Sequence, residues 1–400
     1  MPALIDLCPQ PSSACLGPSF LMHLAYAGQD MGPLTARLVA RALTPDPDPG
    51  AVVDLATILM TKGCTLAQEG RRLLGQAAGV QPNYQITHGN GRGLRVLALV
   101  TAGDFMANTP VDFLLNGSDC TLILHHVTAN TQRLDLPPHD VALLAIGQSD
   151  QNAPVLAQMA RLLAGHRGPV LNRDAGMIAR LTRDNVATLL EGQPAILSPP
   201  TRRVRREALR LGALRLGAGP VILRPVGSHA GQGLSLIRSP GELDHWLAEN
   251  REDEVFVAPF VDYRGADGLY AKQRVVLIGG RPHASHMALS DHWMVHYLNA
   301  DMAAHPLRRA AEAAWMAGFE TGFARRHARA FAALHRVFGL DYFGIDCAEA
   351  PDGRLLVFEV DTAMIVHDMD DPGVFPYKQP AMRRLFGAFQ DHAARASGAA

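Results

Sequence analysis

Apolar residues recur with helical spacing through the first 90 residues of the chain. One helical face is outlined by Val52, Leu55, Ala56, Leu59, Leu66, Leu73, Leu74 and Ala77. A Pro-rich stretch at residues 45–50 separates two such segments, because proline and glycine interrupt helices. The pattern predicts a helical region over residues 1–90, which serves either as a cap on the next domain or as a module that docks a peptide.

From Gly91 the helical period gives way to short apolar runs. Buried parallel strands are predicted at residues 94–100, 121–127, 141–147 and 169–173, with a helix at 154–164. Residues 91–173 are therefore predicted to form a small α/β domain. Such sheets bind ligands at the carboxyl ends of their strands, where Thr101, Asp104 and Asn108 follow the first run. Asn108 is a candidate substrate ligand, with ordinary turn chemistry and helix capping as the alternative.

The remaining residues, 174–400, alternate strands and loops less regularly. Strands are predicted at residues 220–226, 234–238, 255–261, 270–278, 283–289, 343–348 and 355–360. Helices are predicted at residues 242–249, 307–337 and 376–394. The sequence Pro351-Asp352-Gly353 is a strong turn signal, so it joins the last two strands in a hairpin.

The composition excludes several classes of partner. A net charge of −1 argues against the broad basic surface that non-specific nucleic-acid binding requires. No apolar run approaches the roughly 20 residues of a membrane span, and the amino terminus lacks the pattern of a signal peptide. The five scattered cysteines form no CxxC pair, which indicates reduced thiols. We expect a soluble cytoplasmic protein with neither nucleic acid nor membrane as a partner.

A glycine-bearing loop follows the strand at residues 220–226. The strand delivers a cation at Arg224, and the loop then contains Gly227, Ser228, Gly231 and Gly233. Glycine lets backbone N–H groups approach phosphate oxygens without hindrance from a Cβ atom. The loop is a candidate cover for phosphates, with an ordinary β-hairpin as the alternative, and it matches neither of the two best-known nucleotide loops.

Three carboxylates belong to the predicted C-terminal hairpin. Glu359 and Asp361 are two residues apart on one strand and so share a face, and the turn brings Asp346 alongside them. Three such charges repel one another unless a cation compensates them, and carboxylate oxygens are the ligands that Mg²⁺ prefers. A solvated acidic edge is the alternative, which the surrounding apolar run L-L-V-F-E-V-D disfavours.

Basic and histidine-rich segments lie between these two motifs. Lys272 and Arg274 share one face of a strand, and Arg274 is placed to neutralise charge during transfer of a γ-phosphoryl group. The candidate substrate ligands nearby are His286, Ser290, His292, His296 and Asn299, and His367 beyond the hairpin. A histidine metal site is disfavoured because His283 and His286, three apart on a strand, would leave opposite faces. The alternative for this run is ordinary packing and capping.

In this order, the strand, the Gly-Ser loop, the basic strand and the terminal D…E-V-D hairpin resemble the ATP-grasp superfamily. The resemblance is to its glutathione-synthetase-like and RimK-type glutamate-ligase branch, over roughly residues 94–390. It implies a pre-ATP-grasp α/β domain at residues 91–173 and a C-terminal ATP-grasp fold at residues 174–400. In the N-terminal region, the order of helix, Pro-rich turn and helix resembles a tetratricopeptide-like pair.

The resemblance also implies roles for individual residues. The phosphates of ATP would meet Arg183, Arg224, Lys272 and the loop of residues 227–233. Adenine would lie against the hinge strand residues Pro259, Phe260 and Val261. Arg274 would be catalytic, and Asp346, Glu359 and Asp361 would bind Mg²⁺ or, alternatively, Mn²⁺. This sequence departs from the family at Arg224, usually lysine, and at Asp361, usually asparagine. Arginine still binds phosphate, and the added negative charge of aspartate either strengthens metal binding or marks a different substrate.

The implied activity is an ATP- and Mg²⁺-dependent carboxylate–amine ligase. ATP phosphorylates a carboxylate, an amine attacks the acyl phosphate, and the products are an amide, ADP and phosphate. The partners would be ATP, a carboxylate donor and an amine acceptor, drawn from amino acids, peptides or small metabolites. The alternatives are an ATP-grasp phosphotransferase and a noncatalytic nucleotide-binding partner protein. The sequence leaves three questions open: which substrates are used, whether residues 1–90 capture a peptide acceptor, and whether the chain forms an oligomer such as a homodimer.

Overall fold

The computed structural model describes residues 13–212, 219–228 and 231–398. Within these residues the chain forms two compact units. The first unit contains the described residues up to Ala179, together with Leu340–Phe343 and the residues from Thr362 onward. The second contains Arg180–Gly339 and Gly344–Asp361. The predicted mixed α/β architecture is confirmed, and the division into three regions at residues 90 and 173 stays a prediction.

Strands and helices alternate along the chain. The strands are β1 (Ser13–Ala14), β2 (Asn83–Thr87), β3 (Arg95–Val100), β4 (Thr121–His126), β5 (Val141–Leu144), β6 (Val170–Leu171), β7 (Ile196–Leu197), β8 (Arg202–Arg205), β9 (Val221–Pro225), β10 (Ser235–Ile237), β11 (Glu254–Pro259), β12 (Tyr270–Ile278), β13 (Arg281–Ser290), β14 (Tyr342–Glu349) and β15 (Leu355–Asp361). The helices are α1 (Pro18–Tyr26), α2 (Gly32–Ala42), α3 (Pro49–Met60), α4 (Gly63–Val80), α5 (Val111–Leu114), α6 (Ala153–Ala164), α7 (Ala175–Ala179), α8 (Arg183–Leu189), α9 (Arg206–Arg210), α10 (Pro240–Glu249), α11 (Pro306–Ala317), α12 (Phe323–Arg326), α13 (Ala328–Phe338) and α14 (Lys378–Ser397).

The sheet of the first unit has the strand order β1-β2-β4-β3-β5-β6. The four predicted strands correspond to β3, β4, β5 and β6, and they run parallel as expected. β2 was not predicted and pairs antiparallel with β4, within the stretch assigned to helices. Tyr84 and Ile86 are buried while their neighbours are not, so this segment has the two-residue period of a strand. The helical prediction is wrong there.

The N-terminal helices confirm the helical prediction over most of residues 18–80. Helix α3 begins at Pro49, and the Asp48 carboxylate caps it by accepting from the N–H groups of Gly50 and Ala51. α3 is buried nearly all round, whereas α4 buries one face. Leu66 is 47% exposed, so the apolar face does not continue unbroken from α3 into α4. The break occurs because the chain leaves the helical path between Met60 and Gly63.

The second unit contains two sheets, with strand orders β10-β9-β11-β8 and β13-β12-β14-β15-β7. All seven strands predicted over residues 220–360 are present. The segment at 307–337 forms three helices rather than one or two, namely α11, α12 and α13. β7 and β8 were not predicted. β8 has the sequence Arg-Arg-Val-Arg at a sheet edge, where charged residues are common and no apolar alternation marks the strand.

The hairpin of β14 and β15 sets the position of the acidic residues. Asp346 pairs with Glu359, and Gly344 pairs with Asp361. A bulge after Asp346 shifts the register on the side toward the turn. The predicted turn therefore brings Asp346 beside Glu359, as the sequence indicated.

Two further expectations concern the whole chain. Among the described residues, no helix combines the length and the apolar character that crossing a bilayer requires. Cys15, Cys64, Cys120 and Cys347 are free thiols, and Cys8 lies outside the described residues.

Candidate functional site

Asp346 is the centre of a buried charged cluster in the second unit. It lies on β14 with 3% of its surface exposed. Lys272 Nζ donates to Asp346 Oδ2 at 2.7 Å, and Arg274 Nε donates to Oδ1 at 2.8 Å. Burial opposes ionisation of Asp346, but Arg274 and Lys272 outweigh it and hold the pKa of this carboxyl well below its usual range. Asp346 is therefore a carboxylate at neutral pH.

Glu359 extends the cluster to the start of helix α8. Arg183 Nη2 lies 2.6 Å from Glu359 Oε1. Burial would raise the pKa of Glu359, but Arg183 and Arg224 lower it below its usual value. Burial and the neighbouring Arg183 lower the pKa of Arg224, on β9, to about 10, so it is still a cation at neutral pH. Side chains from both sheets of the second unit thus share one electrostatic environment.

The cluster contains more cations than carboxylates. Its cations are Arg183, Arg224, Lys272 and Arg274, and its carboxylates are Asp346, Glu359 and Asp361. The charge of Asp361 helps to raise the pKa of Arg274, so Asp361 belongs to the cluster. In the β14–β15 ladder Asp361 is paired with Gly344. A buried excess of positive charge is unfavourable unless an anion compensates it. The arrangement therefore suits a negatively charged ligand.

The glycine-bearing loop joins β9 to β10, and its residues 229 and 230 lie outside the described part of the chain. Arg224 Nη2 donates to the carbonyl oxygen of Ser228 at 2.8 Å, which ties the loop to the cluster. Gly227, Gly231 and Gly233 have φ angles of 76°, 77° and 66°, in the left-handed region. A Cβ atom at Gly233 would also lie 2.7 Å from Pro225 Cγ. The hairpin itself thus requires glycine, with or without a phosphate.

The predicted hinge lies at the end of β11, which stops at Pro259, just before Phe260 and Val261. The Phe260 N–H donates to the Pro220 carbonyl at 2.9 Å, and the Phe260 ring meets the Trp293 ring edge-on with centroids 5.8 Å apart. The end of β11 thus adjoins an aromatic pair, and the role of these residues as a hinge against adenine stays a prediction.

Tyr263 is a residue of this region that the sequence analysis missed. Its hydroxyl donates to the Trp293 carbonyl at 2.9 Å, and its ring packs against Tyr270 and Phe358. Tyr263 therefore fixes the start of the loop that follows β13. No motif marks this tyrosine, because its role depends on a partner 30 residues away.

The strand pairing corrects the expectation for the two β13 histidines. A bulge at Arg274/Val275 gives one extra residue to β13, so His283 pairs with Val276 and His286 with Arg274. Val276 and Arg274 share a face of β12, so the register does not place the two histidines on opposite faces. The expectation was wrong because strand alternation assumes an unbroken ladder.

His286 and His296 lie beside the charged cluster. The His286 ring packs against Tyr297 with centroids 4.7 Å apart. Burial, followed by the charges of Lys272 and Arg274, lowers the pKa of His296, which is therefore neutral at neutral pH. His286 is the ladder partner of Arg274, and the cations act electrostatically on His296. The role of both histidines in binding a substrate stays a prediction.

The other candidates in this run lie at the end of β13 and in the loop that follows it. Ser290 Oγ accepts from the His292 N–H at 3.1 Å, and Asn299 Oδ1 accepts from the His296 N–H at 2.9 Å. His292 Nδ1 accepts from the Met294 N–H at 3.2 Å. These contacts are the capping bonds of the alternative interpretation, and they shape the loop whether or not it binds a substrate.

Two candidate substrate ligands belong to the first unit. Asn108 Oδ1 accepts from the Thr101 N–H at 2.9 Å, and its Nδ2 donates to the Thr101 carbonyl at 2.8 Å. This carboxamide closes the loop after β3, which favours the turn interpretation. His367 Nδ1 accepts from the Met369 N–H at 3.2 Å, and its ring lies 6.4 Å from that of Tyr26.

The carboxylates are compatible with Mg²⁺ in chemistry. Asp346, Glu359 and Asp361 supply hard oxygen ligands, and Arg183 and Arg224 outweigh burial and keep Glu359 ionised. The cations are paired with Asp346 and Glu359. Within residues 13–212, 219–228 and 231–398, there is no group of three acidic, histidine or cysteine side chains that are close enough together to bind a metal ion. The metal-binding role of these residues stays a prediction.

The chain was compared with known proteins. No family model matches it, and no curated protein matches it. Among solved structures it is similar to a RimK domain ATP-grasp protein from Sphaerobacter thermophilus DSM 20745, with 19% identity, a TM-score of 0.42 and coverage of 74% of this chain and 99% of that one. It is also similar to a D-alanine–D-alanine ligase from Bacillus anthracis complexed with ATP, with 13% identity, a TM-score of 0.43 and coverage of 76% and 97%. A third structure, the D-cycloserine synthetase DcsG, has 15% identity, a TM-score of 0.40 and coverage of 73% and 99%. These structures are of the kind that the motifs resemble, and membership of this chain in the ATP-grasp superfamily stays a prediction.

Proposed function

We propose that this chain is an ATP-grasp carboxylate–amine ligase that uses ATP and Mg²⁺ and forms an amide through an acyl phosphate. The observation that carries the proposal is the buried cluster of the second unit, in which Arg183, Arg224, Lys272 and Arg274 exceed the carboxylates in charge. A polyphosphate suits the site because a bound Mg²⁺ would add two positive charges to the cluster's excess of one.

The residues of the cluster have separable roles in this proposal. Arg224, with the loop from Gly227 to Gly233, holds the phosphates, and Arg183 and Lys272 add charge beside them. Asp346, Glu359 and Asp361 would hold Mg²⁺, which when bound screens the phosphate charges from the incoming carboxylate. Before the nucleotide binds, cations are paired with Asp346 and Glu359. When the nucleotide binds, these cations would contact its phosphates instead, which frees the two carboxylates for Mg²⁺.

Arg274 is the catalytic residue in this account. Although burial disfavours its charge, Asp346 raises the pKa of the guanidinium above its usual value, so Arg274 stays protonated throughout. A carboxylate oxygen of the substrate attacks the γ-phosphorus, and the bond from that phosphorus to the oxygen shared with ADP breaks. Arg274 stabilises the charge on the transferred group. The amine then attacks the acyl carbon, inorganic phosphate leaves, and the amine loses a proton to give the amide.

The experiment measures ATP consumption with Mg²⁺ across a panel of amino acids and peptides and separates ADP from AMP. The test variant is Glu359→Gln, which keeps the shape of the side chain and removes the charge paired with Arg183. Glu254→Gln is the matched control, because Glu254 is paired with Arg203 at 2.6 Å on the exposed face of β11. We expect the unaltered chain to form ADP only when a carboxylate and an amine are both present. The rate of ADP formation should fall by about 10²-fold or more in Glu359→Gln and should be unchanged in the control.

Other outcomes lead to the alternatives. ADP formed without any amine would favour a phosphotransferase that releases a phosphorylated product. Tight ATP binding without turnover across the panel would favour a noncatalytic nucleotide-binding protein. Formation of AMP would contradict the proposal, because it requires cleavage at the α-phosphorus.

A further inference from the structure

One sheet of the second unit ends at strand β8, which is the outer strand of the order β10-β9-β11-β8. β8 runs antiparallel to β11, and the Arg206 N–H at its end donates to the Asp253 carbonyl at 2.8 Å. Bonded and non-bonded residue pairs alternate in such a ladder, so the N–H groups of Arg203 and Arg205 point away from β11. β8 thus directs backbone donors toward the outer edge of the sheet.

The outer strand of the other sheet in this unit is treated differently. The N–H of Met287 on β13 donates to Glu312 Oε1 at 3.0 Å, and the N–H of Leu289 donates to Met302 Sδ at 3.4 Å. Side chains therefore occupy the edge of β13. On β8, by contrast, no described group accepts a hydrogen bond from the Arg205 N–H. An unpaired strand edge of this kind is a template for pairing with another chain.

The side chains of β8 give its edge a positive charge. Arg202, Arg203 and Arg205 are all exposed. Glu254 is paired with Arg203, whereas no acidic group in the described ranges is paired with Arg202 or Arg205. Like charges on an edge strand oppose its pairing with a copy of itself. Opposite charges across a strand pair are favourable, so this edge suits an acidic partner.

The spacing of the two unpaired arginines narrows the choice of partner. Arg202 and Arg205 are three residues apart on an extended strand, so their side chains lie on opposite faces of the sheet. Val204 shares the face of Arg202 and packs against the apolar core of this sheet. A strand paired with β8 would meet one free arginine on each face. Acidic residues three apart on the partner match this arrangement.

We propose that the edge of β8 binds an extended acidic peptide segment of a partner protein, which adds to the sheet as a further strand. The Arg205 N–H donates to a backbone carbonyl of the peptide, and Arg202 and Arg205 pair with acidic side chains three residues apart. In this binding mode backbone hydrogen bonds supply affinity and side chains supply specificity. The site is built from β8 alone, and it does not depend on the proposed ligase activity.

The test follows binding of fluorescein-labelled peptides to the full chain by fluorescence polarisation. The first peptide is Thr-Glu-Thr-Thr-Glu-Thr. The second has the same sequence with every backbone nitrogen methylated, which keeps the charge and removes the N–H groups. The third has lysine in place of both glutamates. We expect the first peptide to bind, the methylated peptide to bind about tenfold or more weakly, and the lysine peptide to show no binding.

Two substitutions at Arg205 separate its charge from its backbone N–H. Arg205→Gln removes the charge and should weaken binding of the first peptide about threefold, as expected for one exposed ion pair. Arg205→Pro removes the N–H as well and should weaken binding about tenfold. Proline is compatible with this position, because φ of Arg205 is −70° and the β11 ladder does not use its N–H. Arg329→Gln is the matched control, because Arg329 is exposed on α13.

Several outcomes would overturn the proposal. Equal affinities for the first peptide and its methylated form would exclude strand addition, and this comparison requires no variant to fold. Equal affinities in folded Arg205→Pro and Arg205→Gln would exclude the role of the Arg205 N–H. Tight binding of the lysine peptide would contradict the preference for acidic residues. A thymidine trinucleotide, which has two phosphate charges, binding as tightly as the first peptide would show a surface for polyanions in general. Failure of the first peptide to bind would also overturn the site.

Discussion

The two units contain buried aspartates that behave in opposite ways. Asp346 in the second unit is 3% exposed and Asp54 in the first is 2% exposed. The pKa of Asp346 lies well below its usual range, whereas burial raises the pKa of Asp54 to about 6. Asp54 does accept hydrogen bonds, from the N–H groups of Leu16 at 2.8 Å and Gly17 at 3.2 Å.

The difference between the two aspartates lies in their partners. Two full positive charges in direct contact outweigh the cost of burying Asp346, whereas two peptide N–H dipoles do not offset that cost for Asp54. The nearby Asp112 also raises the pKa of Asp54. Cations in direct contact therefore keep a buried carboxylate ionised, whereas hydrogen bonds from the backbone alone leave its pKa raised.

The largest effect is expected from Asp346→Asn, which removes the charge that balances Lys272 and Arg274. We expect the free energy of unfolding to fall by about 3–5 kcal/mol at pH 7, because two buried cations lose their carboxylate. The folded pKa of Asp346 is depressed, so its contribution is present above about pH 4 and is lost as pH falls toward the folded value. Urea denaturation measures the change. A loss below about 1 kcal/mol would contradict the account of the cluster.

The second effect concerns Asp54→Asn and reverses the sign of the pH dependence. The folded pKa of Asp54 is raised, so this group favours folding at low pH and loses that contribution as pH rises from about 4 to about 6. The loss is at most about 3 kcal/mol. The free energy of unfolding of the unaltered chain and of Asp54→Asn is measured in urea at pH 4 and pH 7. Asp54→Asn should remove this part of the pH dependence. An identical pH dependence in the unaltered chain and the variant would show that burial does not raise the pKa of Asp54.

A smaller effect is expected for nucleotide affinity in Arg224→Met. The variant removes a charge-assisted contact to phosphate, so binding of a non-hydrolysable ATP analogue with Mg²⁺ should weaken by about 10- to 100-fold in calorimetry. Arg224→Lys keeps the charge and should recover part of the affinity. Arg203→Met, on the exposed strand β8, is the control. Equal affinities in Arg224→Met and the control would remove Arg224 from the site.

The smallest effect is expected where charge is paired but exposed. Asp352 lies in the β14–β15 turn with its carboxylate 2.7 Å from Arg354 Nη2, and both side chains are exposed. Asp352→Asn should leave the free energy of unfolding nearly unchanged, because solvent screens such pairs. A change as large as that of Asp346→Asn would show that burial is not what distinguishes the cluster.

Much of the charged site could be predicted from sequence because its residues lie on strands with a two-residue period and a strong turn. Lys272 and Arg274 share a face, and the turn at Asp352-Gly353 aligns Asp346 with Glu359. The roles assigned to these residues in binding nucleotide and metal stay predictions.

The parts that could not be predicted depend on long-range contacts. The pair of Arg183 and Glu359 joins residues 176 positions apart, and no local pattern indicates it. The place of β8 at a sheet edge likewise depends on the order in which the strands pair after folding. The bulge at Arg274/Val275 changed the expected faces of the β13 histidines, because a single extra residue reverses the alternation beyond it.

The most direct test of the central claim compares ATP with AMP as ligands of the charged cluster by calorimetry in the presence of Mg²⁺. If the excess of buried positive charge binds a polyphosphate, ATP should bind on the order of 10²-fold more tightly than AMP. The double variant Arg274→Met with Lys272→Met should lose most of the preference for ATP. It lacks the two cations beside Asp346 that would contact the additional phosphates. AMP binding as tightly as ATP would contradict the claim that the cluster is a polyphosphate site.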